Sequence, residues 1–110
     1  MTKFLVLYRS SASAIEQMAK ATPEQAQAGM DAWMAWADAA GSAVVDLGQP
    51  VQPSGRLGSG AVSDESFIGG YSLLQAASPQ AMDALLKDHP HLMVPGSWID
   101  FYELLALPGM

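Results

Sequence analysis

The order in which strand-like and helix-like patterns follow one another constrains the fold of this chain more than any other feature. Four runs rich in β-branched, aliphatic and aromatic residues predict strands at Lys3–Arg9, Ser42–Gly48, Phe67–Ala76 and Trp98–Leu107. Gly69-Gly70, inside the third run, predicts a bulge or the close approach of another backbone. Helical sequence separates the first run from the second and the third from the fourth.

Both predicted helices begin with the same local signal, an N-cap residue followed by proline. Thr22-Pro23 opens the first helix and Ser78-Pro79 the second. Gly41 stops the first and Pro90 ends the second. The order strand, helix, strand, strand, helix, strand is the βαββαβ arrangement of the ferredoxin-like fold. We therefore predict an α+β protein, with two helices on one face of an antiparallel sheet.

Composition and charge exclude several classes of protein. The chain has 110 residues, room for one domain over residues 1–110, and its net charge of −6 argues against nucleic acid and anionic membrane surfaces. It has no cysteine, so a disulfide or a thiolate metal site is impossible, and no motif calls for a cofactor. The apolar run Phe4–Tyr8 is too short for a signal peptide, and no stretch approaches a membrane span. We expect a cytoplasmic protein without metal or cofactor.

The predicted strands are apolar on both faces, whereas a sheet with one face in water should alternate. Apolar side chains oppose one another within the first and the fourth strand: Phe4, Val6 and Tyr8 against Leu5 and Leu7, and Trp98 and Tyr102 against Ile99 and Phe101. We predict that a second copy covers the outer face and closes a dimeric α/β barrel. The alternative is that the long loop, residues 49–66, covers this face in a monomer.

Short motifs along nearly the whole chain resemble the YCII-related family. They are Lys3–Tyr8, Gly48-Gln49-Pro50, Ile68–Tyr71, His89-Pro90-His91-Leu92 and Ile99-Asp100-Phe101. The resemblance implies a dimeric α/β barrel and, in some members, a catalytic His–Asp pair in a cleft. Two departures are visible. No histidine lies between Pro23 and Gly41, and the Asp-Gly-Pro-Phe motif of another branch is matched only at Asp64 and Phe67.

His89 and Asp100 are the predicted catalytic residues. A histidine titrates near neutral pH and can act as a general acid or base. Asp100 lies inside an apolar strand, where a carboxylate needs a partner, and the resemblance places an acidic residue there. The alternative for His89 is a structural role, with its ring donating to a carbonyl at the helix end.

The predicted ligand-binding residues are spread over strands, helix and loop: His91, Arg9, Tyr8, Asp46, Ser72, Trp36 and Arg56. The two arginines are the available anion clamps. Asp46 has the alternative of pointing outward at a sheet edge.

The leading hypothesis is a homodimer that binds a small carboxylated or lactone-like metabolite, with the 49–66 loop as lid and cofactor-independent acid/base chemistry. The alternative is a non-catalytic homodimeric interaction or regulatory module. A redox barrel for haem is disfavoured, because the histidines lie at a helix end rather than facing a large pocket.

Overall fold

The computed structural model describes residues 1–60 and 67–109. Its regular elements, in chain order, are β1 (Thr2–Ser10), α1 (Ala14–Lys20), α2 (Pro23–Ala40), β2 (Val44–Asp46), β3 (Phe67–Ala76), α3 (Pro79–Leu86) and β4 (Ser97–Glu103). Short 3₁₀ turns lie at Gly41–Ala43 and Pro90–Met93. Asp64 and the end of the predicted 49–66 loop fall outside the described residues.

The four strands form one antiparallel sheet in the order β2-β3-β1-β4. β1 pairs with β3 on one side, from Thr2↔Ala76 to Ser10↔Phe67, and with β4 on the other. This is the strand order that the βαββαβ sequence pattern requires, so the predicted α+β, ferredoxin-like class is confirmed.

A bulge interrupts the pairing of β1 with β3, because Tyr8 pairs with Gly70 while Arg9 pairs with Ile68. Gly69 is therefore the extra residue, and the bulge predicted from Gly69-Gly70 is confirmed. On the other edge of β3, Pro50 forms an isolated bridge to Gly70. The segment after β2 thus stays close to β3 where the bulge bends the sheet.

The helices differ from the prediction in number and length. The sequence pattern predicted two helices, but a third, α1, occupies a stretch to which no element was assigned. Its start is stabilised by Ser13, whose hydroxyl accepts a hydrogen bond from the Glu16 amide. At the start of α2, Thr22 and Gln25 form the expected capping box. α3 ends at Leu86, before Pro90 can interfere, and β2 and β4 are shorter than predicted.

The core lies between the sheet and α3. Phe4, Val6 and Tyr8 of β1 point to this side, and Met82 and Leu86 of α3 are 0% and 3% exposed against them. Burying side chains of this size stabilises the fold by about 2 kcal/mol each.

The opposite face of the sheet is not covered by any described helix. It carries Leu5 and Leu7 of β1, which alternate with the buried residues, and Trp98 and Tyr102 of β4, which are 38% and 52% exposed. Below, this surface is called the open face. The closure of a barrel by a second copy stays a prediction. No helix in the part of the chain that the structure describes is long and apolar enough to cross a membrane.

Candidate functional site

A cleft of about 500 Å³ lies between the two N-terminal helices and the bulged end of the sheet. Met18 of α1 and Met30, Trp33 and Met34 of α2 form its helical wall. Tyr8 and His91 border it on the sheet side, and the rim runs through residues 47–50 and 69–71. Its size is typical of a pocket for a small molecule.

The cleft is present because α2 stands away from the sheet along its first half. Residues 22–32 are all exposed, and α2 reaches the core only through side chains of its second half, such as Trp33 and Trp36. The helical period of the sequence places Met30, Trp33, Met34 and Ala37 on one stripe and predicts that this stripe is buried. For Met30 this prediction is wrong, since 58% of it is exposed above the cleft. Met34 is exposed as well.

Two glycines determine the shape of the cleft. Gly29 borders it from α2, and a Cβ atom there would meet nothing within 4 Å, so the bare backbone widens the space. Gly48, on the rim, has φ +76°, and a Cβ atom there would collide with the Tyr71 carbonyl oxygen. Only glycine allows the segment after β2 to approach β3 so closely.

His91 is the histidine whose side chain borders the cleft. It lies in the 3₁₀ turn after α3, and its Nε2 is 2.9 Å from the Arg9 carbonyl oxygen. A carbonyl can only accept, so Nε2 carries the proton and, in the neutral ring, Nδ1 is an acceptor. Nδ1 makes no hydrogen bond to the residues that the structure describes. This nitrogen can accept a proton from a bound molecule.

His89 lies behind the cleft and is 0% exposed. Its ring stacks on Tyr8 at a centroid distance of 4.9 Å and contacts Trp33 and Trp36 at 4.4 Å each. Its Nδ1 accepts a hydrogen bond from the His91 amide at 3.0 Å, which caps the 3₁₀ turn. Within the described ranges, 1–60 and 67–109, Nε2 has no hydrogen-bond partner.

Burial and, to a smaller extent, the nearby charge of His91 together lower the pKa of His89 to about 4. At neutral pH the His89 ring is therefore uncharged and packed among aromatic side chains. It positions His91 through the amide contact and does not border the cleft.

Tyr8 and Ser72 form a buried hydrogen-bonded chain beside the cleft. The Tyr8 hydroxyl donates to Ser72 Oγ at 2.8 Å, and Ser72 Oγ donates to the Leu47 carbonyl. Burial raises the pKa of Tyr8 to about 12, and the Ser72 bond opposes this only in part. The Tyr8 ring therefore stays a neutral surface, and the chain ties β1 and β3 to the segment after β2.

Arg9 and Asp100 lie on the open face, away from the cleft. The Arg9 Nη1 to Asp100 Oδ2 distance is 3.3 Å, and the guanidinium lies 5.8 Å from the Trp98 ring centroid. Asp100 lies between Ile99 and Phe101, which pack toward the core, so its side chain points to the other side. The predicted catalytic partners His89 and Asp100 are thus placed on opposite faces of the sheet.

The remaining predicted ligand-binding residues lie outside the cleft. Asp46 is exposed and accepts from the Gly48 amide at 2.9 Å, closing a tight turn. Trp36 packs on His89 and donates from Nε1 to the Leu85 carbonyl at 3.4 Å. Arg56 is exposed in the segment after β2.

Sequence reasoning did not identify Gln17, Met18 or Gly29, which all border the cleft. The first two lie in the helix that it missed. Among residues 1–60 and 67–109 no cluster of three or more His, Cys, Asp or Glu residues is arranged to hold a metal ion.

No family model matches the chain, and no curated protein matches it. Among solved structures, the chain is similar to 5-chloro-2-hydroxyhydroquinone dehydrochlorinase from Burkholderia phenoliruptrix AC1100, in its complex with 2,5-dihydroxybenzoquinone. The two share 15% identity with a TM-score of 0.47, over 89% of this chain and 90% of that one. A likeness this distant carries nothing about the site.

Proposed function

We propose that this chain binds a small, mainly apolar ring compound in the cleft and that His91 acts there as proton acceptor. The observation that carries the proposal is the cleft itself, about 500 Å³, with one imidazole of fixed tautomer at its border. A pocket lined mostly by apolar side chains with a few oriented polar groups is the usual form of a small-molecule site.

The lining favours an uncharged ligand. Its described residues include methionine, tryptophan, tyrosine, glycine and glutamine, but no Asp, Glu, Lys or Arg. A carboxylated ligand would lose its hydration without gaining a cationic partner, which is unfavourable. Of the two compound classes that the sequence suggested, the lactone-like ring is therefore supported better than the carboxylate.

The chemistry that this arrangement supports is cofactor-independent proton transfer. His91 Nδ1 takes a proton from the ligand and returns it at another atom, as an isomerase or lyase requires. His91, rather than the predicted His89, acts as the base, because His89 is buried and its Nδ1 already accepts the His91 amide. His89 and Tyr8 then hold the base in place.

We also propose that the chain is a distant member of the YCII-related family. The motifs quoted for that resemblance coincide with particular structural features. Gly69-Gly70 forms the bulge beside the cleft, Gly48 forms its rim, and His91 borders it.

We propose, further, that two copies pack through their open faces. Trp98 and Tyr102 are large apolar side chains left exposed there beside Leu5 and Leu7. Apolar sheet faces of this kind mark an interaction surface. The same surface favours the alternative function, an interaction module whose dimer is its role.

A thermal-shift screen against lactones, phenols and small carboxylates tests the cleft function. A compound that binds only the folded state raises the melting temperature in a saturable manner. Gly29→Phe should fill the cleft and abolish this rise, whereas Ala35→Phe, exposed elsewhere on α2, should leave it unchanged. A rise that survives Gly29→Phe, or no rise with any compound, contradicts the proposal.

Sedimentation equilibrium tests the dimer. The wild-type protein should sediment as a dimer, and Trp98→Glu should make it a monomer, because it would bury an additional carboxylate in the interface without a partner, unlike Asp100, which is paired with Arg9. Met18→Glu, on the helical side, is the matched control and should stay dimeric. A monomeric wild type would contradict this part of the proposal.

A further inference from the structure

The hydrogen bonds around the cleft determine which atoms of three polar side chains are donors and which are acceptors. His91, Gln17 and Tyr8 border the cleft, and each belongs to a hydrogen-bonded chain that ends on a backbone carbonyl. A carbonyl oxygen can only accept, so every donor in such a chain is determined. For His91 the terminal carbonyl is that of Arg9, which leaves Nδ1 as acceptor.

The orientation of the Gln17 side-chain amide is determined in the same way, by the hydrogen bonds of Ser10. The one hydroxyl proton of Ser10 is donated to the Ala12 carbonyl, and its oxygen accepts from the Ala12 amide at 3.0 Å. The Gln17 atom that lies 2.8 Å from Ser10 Oγ must therefore be the donor, Nε2. The other end of the side-chain amide, Oε1, is left as an acceptor, and the second Nε2 proton is left as a donor.

The hydroxyl of Tyr8, in contrast, already uses its proton as a donor. Ser72 donates its only hydroxyl proton to the Leu47 carbonyl, so the Tyr8 hydroxyl has to donate to Ser72. It has no proton to offer a ligand. Of the other polar groups in the lining, the Trp33 indole N–H can only donate, Tyr71 alternates to the opposite sheet face, and Gln49 lies exposed at the rim.

We infer that His91 Nδ1 is a hydrogen-bond acceptor at the border of the cleft and that the cleft selects a neutral ring compound carrying a hydroxyl group that donates to this nitrogen. This inference rests on the proposed function and names its ligand class. A methyl ether lacks the proton, and a carboxylate would bring its charge against the lone pair of His91 Nδ1. Leaving a buried polar atom unpaired is unfavourable enough for strong discrimination against both.

Amide NMR titrations with phenol, anisole and benzoate test the inference, since the three probes share one ring and differ in the polar group. Phenol should bind at least about tenfold more tightly than anisole or benzoate, the effect of one hydrogen bond to a buried group. Anisole or benzoate binding as tightly as phenol overturns the inference and leaves the cleft function standing. No saturable shift with any probe contradicts the cleft function, and the inference falls with it.

Variants show which residues are responsible for the preference for phenol over anisole. His91→Gln keeps an amide donor for the Arg9 carbonyl but removes Nδ1, and should reduce the preference for phenol over anisole to about onefold. Gln17→Leu should reduce it in part, whereas Gln27→Leu, an exposed glutamine that bonds only Asp31 on its own helix, should leave it unchanged. A preference that is the same in His91→Gln as in the wild type overturns the inference.

Discussion

The helices on the inner face of the sheet differ in how closely they pack against the strands. α3 lies directly on the strands and buries Met82 and Leu86 among Phe4, Val6 and Leu74. α1 and α2 have no fully buried residue, and the space below them is the cleft. The same sheet face is thus packed as a core under one helix and left hollow under the other pair.

The difference shows that apolar helix residues need not be core residues. Met30 and Met34 fall on the stripe that a helical period predicts to be buried, yet both are exposed above the cleft. Flexible methionine side chains adapt to ligands of varied shape. The apolar stripe of α2 is therefore interpreted as a binding wall, whereas that of α3 holds the fold together.

Truncating one methionine of α3 and one of α2 should distinguish the packed half of the inner sheet face, under α3, from the hollow half, under α1 and α2. Met82→Ala, in the packed half, should lower the free energy of unfolding by about 2–5 kcal/mol, because it leaves a cavity. Met34→Ala, in the hollow half, should lower it by less than about 1 kcal/mol. Urea denaturation at neutral pH measures both, and equal losses would contradict the distinction.

Acidification should lower the stability of the folded protein, because His89 is packed in its uncharged form between the two halves. Its pKa is about 4 in the folded protein, whereas the ordinary pKa of a histidine is 6.5, so the unfolded chain binds more protons between these values. Stability should be unaffected above about pH 7 and should fall by roughly 3 kcal/mol as the pH drops from 6.5 to 4.

Two measurements check this prediction. Denaturation over the pH series gives the loss of stability, and NMR of the His89 ring separates it from the carboxylates that titrate in the same range. A His89 ring that becomes protonated near pH 6.5 in the folded protein would refute the prediction.

Gly29→Ala should have the smallest effect on stability, and it should stabilise the protein rather than destabilise it. Gly29 lies inside α2, where glycine destabilises a helix by about 1 kcal/mol relative to alanine, and a Cβ atom meets nothing there. The variant should be more stable by roughly 0.5–1 kcal/mol and should still bind small ligands. A destabilised variant in thermal unfolding would mean that this part of α2 touches the sheet.

The fold was largely predictable from local signals. β3 has the predicted bounds, β1 differs by one residue at each end, and α2 begins and ends where its capping residues indicated. α1 was missed although Ser13 and Glu16 stand three residues apart, the spacing of a capping box. In a helix of only seven residues that signal is weak beside the stronger one at Thr22-Pro23.

The site was less predictable, because tertiary packing decides it. His89 and His91 flank Pro90 and look equivalent in the sequence, yet one is enclosed by Trp33 and Trp36 and the other borders the cleft. The side of the sheet to which Asp100 points depends on strand register. The hollow under α2 depends on how far the helix stands from the strands, which no local pattern determines.

The central claim is that ligands bind in the hollow half, and intermolecular NOEs test it most directly. With phenol bound, its ring protons should show NOEs to the methyl groups of Met18, Met30 and Met34, which line the cleft. The methyl groups of Leu5 and Leu7 on the open face should show none. NOEs to the open-face leucines with none to the methionines would contradict the claim and would make the sheet surface, rather than the cleft, the binding site.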